Sequence, residues 1–570
     1  MKRQVLLAIL GGSLLCGCAD FIDQDNRSNV PQTEFYSTKE GFTSLINSGY
    51  STLRAMYYGK DQDGKDGDPW LFEAGTDLFA SGRTPVDNVG LLGDGYNNAL
   101  ESVSLFYNHC YQGISLANDA IYFGGQAVDF SEKQQYIDEA RFLRAYYYYL
   151  LVQQFGDVVL STEHYTTSMP PTKRTAAADV YKFIIDEFTY LSGSESHLLD
   201  KASGADFGHA DKRAAMHFLS KAYLTRGYES YADSKDFENA KAYADKVIAA
   251  SDGLTLPFAD VMDVDNEQCD EIIFSCIYSS ASVADPSKDG SKQQAHYGTY
   301  LNGPEAGHKY TSSTLTPTLR MHEVFASSPS DERYDATFMK VLYKGYWDYY
   351  KGEAEREKTD VFVYYPPSWE VADTAAWRAA DPEHRKNAYI VPMTEKGNNY
   401  SDKGVKVTTY ENKMTNDVYG VACFRKFDDK NSAGTFSQTC SMHDVYIARV
   451  SEAYLVAAEA LIKMNRGGEA VDYVNKVRNR AKATPATASD MTIDYILDER
   501  AREFAGENLR WMDLKRTGKL KEYTAKYNPD IRDNGGESLY KGSDGNDKIL
   551  RPIPLSAMEL NDELTQNPGY

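Results

Sequence analysis

ILDERAREFAGENLRWMDLKRTGKL, residues Ile496 to Leu520, crowds carboxylates, guanidiniums and one Trp into a single short stretch. It opens as an amphipathic helix. Leu497, Ala501 and Phe504 fall at i, i+4 and i+7, the spacing of one helix face. Glu499, Arg500, Arg502 and Glu503 take the other sides, and Gly506 or Asn508 ends the helix. Trp511-Met512-Asp513-Leu514 follows, flanked by Arg510 and Lys515-Arg516. The charges admit two readings. Glu503 and Glu507, one turn apart, could be a catalytic carboxylate pair. Alternatively the whole set is an ion-pair lattice that pins the helix and its exit turn against other helices. Charges at i,i+4 are ordinary helix features, and the planar fork of Arg binds carboxylates bidentately, so the lattice is the expectation.

ERAREFAGENLRWMDLKRTGKL resembles the C-terminal signature of the SusD/RagB family, surface glycan-binding lipoproteins of Bacteroidota. IPLSAMELNDELTQNPGY, Ile553 to Tyr570, is similar to that family's closing segment, and RFLRAYYYYLLVQQFGDVVL, Arg141 to Leu160, to its first paired-helix signature. The resemblance runs nearly end to end. It implies a mainly α fold, a tetratricopeptide-like helix-pair solenoid scaffold with a large loop-rich insertion containing small β elements. It also implies non-covalent capture of oligosaccharide, and a SusC-type TonB-dependent transporter as partner, over which the lipoprotein sits as a lid.

The residues themselves are consistent with this. A chain of 570 residues, 42% apolar and 25% charged, is globular in composition. Its formal charge of −22 argues against nucleic acid and against an electrostatic hold on anionic lipid. Tyr outnumbers Phe, 43 to 24; its ring and hydroxyl suit helix interfaces and wet binding surfaces alike.

Residues 1–17 read as a lipoprotein signal peptide. Lys2-Arg3 precede the short apolar run Val5 to Leu15, and Leu15-Cys16-Gly17-Cys18 fits a lipobox, with Cys18 the lipidated N-terminus. The mature chain is then anchored in the outer membrane rather than spanning it, facing the cell exterior by the family's implication. Ala19 to Val30 is a polar, acidic tether. Five further cysteines, Cys110, Cys269, Cys276, Cys423 and Cys440, are an odd number without zinc-knuckle spacing and read as buried thiols.

Residues 18–250 form a helical N-terminal half. Phe142, Ala145, Tyr146, Tyr149 and Leu150 make one stripe, and Ala215, Phe218, Leu219 and Ala222 another. Residues 251–570 form the C-terminal half. Within it, 446–570 holds further helices, with a stripe of Val450, Tyr454, Ala457, Ala458 and Leu461. Ala240, Ala244 and Val247 share a register with Ala470, Val474 and Val477. Small residues there let helices approach closely, as in degenerate tetratricopeptide pairs, and about four pairs are expected in a right-handed stack.

Residues 251–445 break the pattern. Only Glu271–Tyr278 and Val361–Tyr365 read as strands, between long loops rich in rings; loops that long are usually functional. No H-E-x-x-H, G-x-S-x-G, P-loop or G-x-G-x-x-G occurs. The Asp61–Asp68 loop fails EF-hand spacing, with Lys65 where a ligand belongs. No cofactor and no metal is expected. Trp and Tyr rings stack on the apolar C–H faces of sugars, so Trp70, Tyr297, Tyr300, Trp347 and Tyr350 are picked, on loop composition, as the ligand platform. Three rivals stand beside glycan capture. One is the same role with peptide cargo; the second is a glycoside hydrolase, which needs two carboxylates about 5–10 Å apart in a cleft; the third is a structural or adaptor solenoid without a small ligand.

Overall fold

The computed structural model describes residues 32–58, 70–81, 88–93, 95–281, 290–297, 315–393, 400–402, 405–407, 422–432 and 440–570. Cys18 and its leader, the Asp61–Asp68 loop and Tyr300 lie outside these residues.

The scaffold is α-helical. Helices α1 (Lys39–Met56), α2 (Glu101–Gly124), α3 (Lys133–Phe155), α4 (Ala177–Leu191), α5 (Lys212–Arg226), α6 (Asp236–Ala249), α7 (Val450–Lys463) and α8 (Gly467–Arg480) pack each against the next. That series makes four helix pairs. The stripes read from sequence face inward: Phe142, Tyr146, Tyr149, Phe218, Ala240, Ala244, Val247, Ala470 and Val474 are all buried. Small residues set the spacing between helices. A Cβ on Gly113 of α2 would meet the Tyr147 ring of α3 at 2.2 Å. The α5 start is capped by Asp211, whose carboxylate accepts from the Ala214 N–H at 2.7 Å.

Helix α7 packs on α6 although the whole insertion separates them in sequence. A two-stranded clasp closes that insertion. Strand β1 (Ile272–Cys276) pairs antiparallel with β5 (Val445–Arg449), in a register that places Arg449 opposite Ile272. Inside the insertion, β2 (Val341–Tyr343), β3 (Val361–Tyr364) and β4 (Tyr389–Ile390) form a small mixed sheet. Both expected strands therefore exist, each shorter than its apolar run.

Helix α9 (Ile493–Phe504) follows the fourth pair, with Thr492 as its N-cap. Gly506 (φ +78°) and Asn508 (φ +61°) carry the exit turn in the left-handed region, where Gly and Asn are favoured. Helix α10 (Arg510–Arg516) comes next. The closing segment ties back to the N-terminal half. Arg551 is fully buried, lies 3.5 Å from the Trp511 ring centroid and donates to Leu71 O, Tyr96 Oη and Gln154. Asn567 donates to Phe155 O and Arg551 O.

Candidate functional site

The signature stretch settles one functional question. Glu499 and Glu503, on one face of α9, are fully buried, and Glu507 nearly so. Arg333 donates to Glu499 and Glu503 at 2.9 and 3.0 Å. Arg449, at the end of β5, reaches Glu271 (2.7 Å), Glu503 (3.0 Å) and Glu507 (2.8 Å). Arg480 bridges Glu271 and Glu503, and the buried Lys426 ammonium donates to Glu507. Burial opposes ionisation, but Arg333, Arg502 and Arg478 outweigh it and push Glu499 down to about 2. The Glu503 carboxyl is likewise held well below the usual range, burial being outweighed by Arg480, Arg449 and Arg333. A general acid needs the opposite shift and a path to substrate. Glu503 and Glu507 are the lattice, not a catalytic pair.

The structure separates the five rings picked from sequence. Trp70 and Tyr297 are 1% and 0% exposed, which corrects their assignment to a platform, since a ring with no open face cannot stack on a sugar. Tyr297 supports the exit turn after α9, its hydroxyl donating to Gly506 O. Trp70 sets its edge on His296 (centroids 4.9 Å apart). Tyr297 packs on Phe79, Phe424 and Phe427, and its hydroxyl meets that of Tyr58, which donates to Asn508. Loop composition gave no sign of this, because only the fold brings His296 to Trp70 and Asn508 to Tyr58.

Trp347 and Tyr350 do come together. They sit on one short helical turn, Tyr346–Tyr350, half-buried, with ring centroids 5.7 Å apart. The turn is locked from below, where Tyr346 and Tyr350 hydroxyls both donate to Asp428. Arg425 lies over Tyr349 at 4.6 Å and Tyr350 at 5.4 Å. The result is a pre-set, partly exposed aromatic group of the amphipathic kind that suits a polyhydroxylated ligand, with a guanidinium beside it whose Nε and Nη1 donors go to Tyr350, Asp335 O and Ala336 O. Arg425 and Asp428 were not picked from sequence. They lie some seventy-five residues downstream, in a segment with no pattern of its own.

Beyond this turn, two clefts of ligand size are walled by described residues. One, about 830 Å³, runs along the outer face of α1 past Asn47, Ser51 and Arg54 to His209 and Ile277. The other, about 490 Å³, lies between α2, the segment after α3, and the C-terminal residues near Asn561. Among the described residues no helix is long and apolar enough to cross a membrane.

At the insertion clasp sits a pair of carboxyls. Asp444 accepts the Tyr278 N–H and Glu267 accepts the Asp444 N–H. Burial is the main cause that pushes each up to about 8, with the charge of Glu267 contributing to the rise at Asp444. Groups so raised bind protons in the fold that the unfolded chain releases near pH 4. Their stabilisation is whole below that pH and is lost as pH rises through about 8. Asp444→Asn keeps the oxygen that accepts from Tyr278 and removes the titration. Between pH 5.5 and 8.5 the variant will lose less stability than the parent, by on the order of 1 kcal/mol, read from urea unfolding at each pH. An equal loss in both proteins would reject the assignment.

A model of the SusD family matches residues 270–570. The chain belongs to the SusD family. A second SusD-type model, described as starch-binding and associating with the outer membrane, matches residues 20–224. The starch-binding protein SusD of Bacteroides thetaiotaomicron is 26% identical over 445 residues, which cover 76% of this chain and 72% of that one. A SusD-like protein of Formosa agariphila, P2, is 25% identical over 591 aligned residues and spans both chains completely. Among solved structures, surface glycan-binding protein A from Bacteroides thetaiotaomicron, in complex with laminarihexaose, superposes with a TM-score of 0.65. That match covers 94% of this chain and 100% of the other at 18% identity, a likeness of fold.

Proposed function

We propose that this chain is a lipid-anchored outer-membrane protein, held by Cys18 and facing outward. It binds oligo- or polysaccharide non-covalently and delivers it to a SusC-type TonB-dependent transporter. The observation that carries the reading is the Trp347–Tyr350 turn, locked by Asp428 and flanked by Arg425, on a SusD-family scaffold whose relatives include a starch-binding protein. Capture and release need no bond chemistry, and the carboxylate pair nearest to a hydrolase signature is sealed in the lattice. Peptide cargo is the second reading. A peptide wants open backbone edges, whereas this turn offers rings. Delivery requires that ligand favour the closed over the open arrangement with the transporter.

The test is calorimetry of the soluble chain, made without residues 1–17 and with Cys18→Ala, against a panel of polysaccharides and peptides. Trp347→Ala will weaken saccharide binding by about 2 kcal/mol, roughly thirty-fold, with affinity measured well below the melting temperature of the variant. Unchanged affinity for a bound saccharide would move the platform elsewhere. Binding of peptides alone would replace the cargo.

A further inference from the structure

The 490 Å³ trough lies between the N-terminal half and the C-terminal residues 557–564, on elements that contribute nothing to the Trp347–Tyr350 turn. Its floor is the outward stripe of α2, where Tyr107 and Tyr111 pack with ring centroids 4.7 Å apart. Tyr111 is fixed in place, because its hydroxyl donates to Val159 O at 3.0 Å. One wall is the segment after α3, which carries Glu163 and Tyr165; the other is the C-terminal stretch that ends in Leu560 and Asn561. These walls are held by the frame. Asn561 exchanges two hydrogen bonds with the Thr172 backbone, and Asn118 bonds Arg144 and Ser161 O. Tyr165 is 37% exposed and Leu560 86%, so both large apolar groups face solvent at the trough. Asn108, Ser115 and Glu163 are exposed at its edges.

We propose that this trough is a second saccharide-binding site, which takes a neutral oligosaccharide with its C–H faces on Tyr165 and Leu560. The proposal rests on the capture reading above and adds a site to it. The volume suits a small-ligand site. The Tyr165 ring is tethered by the Ser161 hydroxyl, which donates to its Oη, and a tethered ring loses less conformational freedom on binding. Asn108, Ser115 and Glu163 supply the amide, hydroxyl and carboxylate that hydroxyl groups pair with. The sugar is neutral because a uronate or sulfated chain would meet Glu163 in a protein of net charge −22. Among the described residues no strand borders the trough to extend a peptide backbone. Two sites on one chain grip a polysaccharide by avidity, holding it while either site lets go.

The test uses the soluble chain with laminarihexaose and maltohexaose, and with the parent polysaccharides laminarin and amylose. Tyr165→Ala and Asn108→Arg are both exposed changes that leave the core intact. For the hexaose that binds, the parent protein is expected to show two sites by calorimetry and slowed hydrogen exchange across residues 159–170. Either variant will show one site, no slowing there, and at least ten-fold weaker binding of the parent polysaccharide. Trp347→Ala will retain the slowing at 159–170. One site in the parent protein, lost in Trp347→Ala and untouched by Tyr165→Ala and Asn108→Arg, overturns the second site and leaves the capture reading standing. No binding of any of the four removes both.

Discussion

Arg449→Ala will destabilise the fold by about 3–5 kcal/mol, the usual consequence of removing one partner from a buried ionic network. The Arg449 guanidinium donates to Glu271, Glu503, Glu507, the Ser451 hydroxyl and Glu503 O, and is 1% exposed. Without it three buried carboxylates face one another across a space too dry to screen them. Arg480, Arg333 and Lys426 remain, but each is already committed to Glu271, Glu503 or Glu507. Arg449→Lys will recover little, since an ammonium has three donors and no planar fork. The effect should appear as a lower urea midpoint with an unchanged slope. It will weaken saccharide binding only through unfolding, so affinity measured well below the midpoint stays that of the parent. A loss under about 1 kcal/mol would mean that the network is ornamental and would reopen Glu503 to a chemical role.

The lattice was legible as a class of feature and illegible in its wiring. Glu499, Glu503 and Glu507 at helical spacing, with arginines between them, announce ion pairs. Their strongest partners come from elsewhere: Arg333 from the insertion, Arg449 from the clasp strand, Arg478 and Arg480 from the fourth helix pair. Helix stripes were readable because burial imposes a 3.6-residue period on local sequence. The expectation of about four pairs came from the register that Ala240, Ala244 and Val247 share with Ala470, Val474 and Val477, whereas the docking of α7 on α6 across the insertion is seen only in the fold. Ring-rich loops were the reverse case. Trp347 and Trp70 have similar neighbours in sequence, yet one is half-buried on a surface turn and the other is sealed against His296. What separates them is which residues arrive from far along the chain, His296 at Trp70 and Arg425 and Asp428 at the Trp347 turn, and no local pattern records that. The trough went unread for the same reason, since Tyr111, Tyr165 and Leu560 belong to three elements with ordinary patterns of their own.

Glu452→Ala will have a comparable effect at the seam between the third and fourth helix pairs. Its carboxylate, 1% exposed on α7, accepts from Lys221 at 2.9 Å and His217 at 2.9 Å on α5, and from Arg500 at 2.8 Å on α9. Burial lowers the His217 basicity, so the ring is neutral and donates through Nε2–H, consistent with its unpartnered Nδ1. Truncation leaves the Lys221 ammonium and one side of Arg500 without a countercharge, and costs about 3–5 kcal/mol at pH 7. The pH dependence carries a signature that simple loss of packing lacks. Burial alone would raise the Glu452 carboxyl, but Lys221, His217 and Arg500 outweigh it and hold the group well below its usual range. A depressed carboxylate contributes stability that is present above its unfolded value, near pH 4, and is lost as pH falls below that. The difference between parent and Glu452→Ala should therefore be constant from pH 6 to 8 and shrink as pH falls under about 4. Glu452→Met combined with Lys221→Met will recover part of the stability, since a matched apolar pair replaces a matched charge pair. If the double variant is as unstable as Glu452→Ala, the seam depends on Arg500 and its Asp513 partner rather than on the bridge between α5 and α7. The insertion that carries the Trp347 turn leaves the scaffold after α6 and returns at α7, so this seam fixes where both ends of the insertion are held.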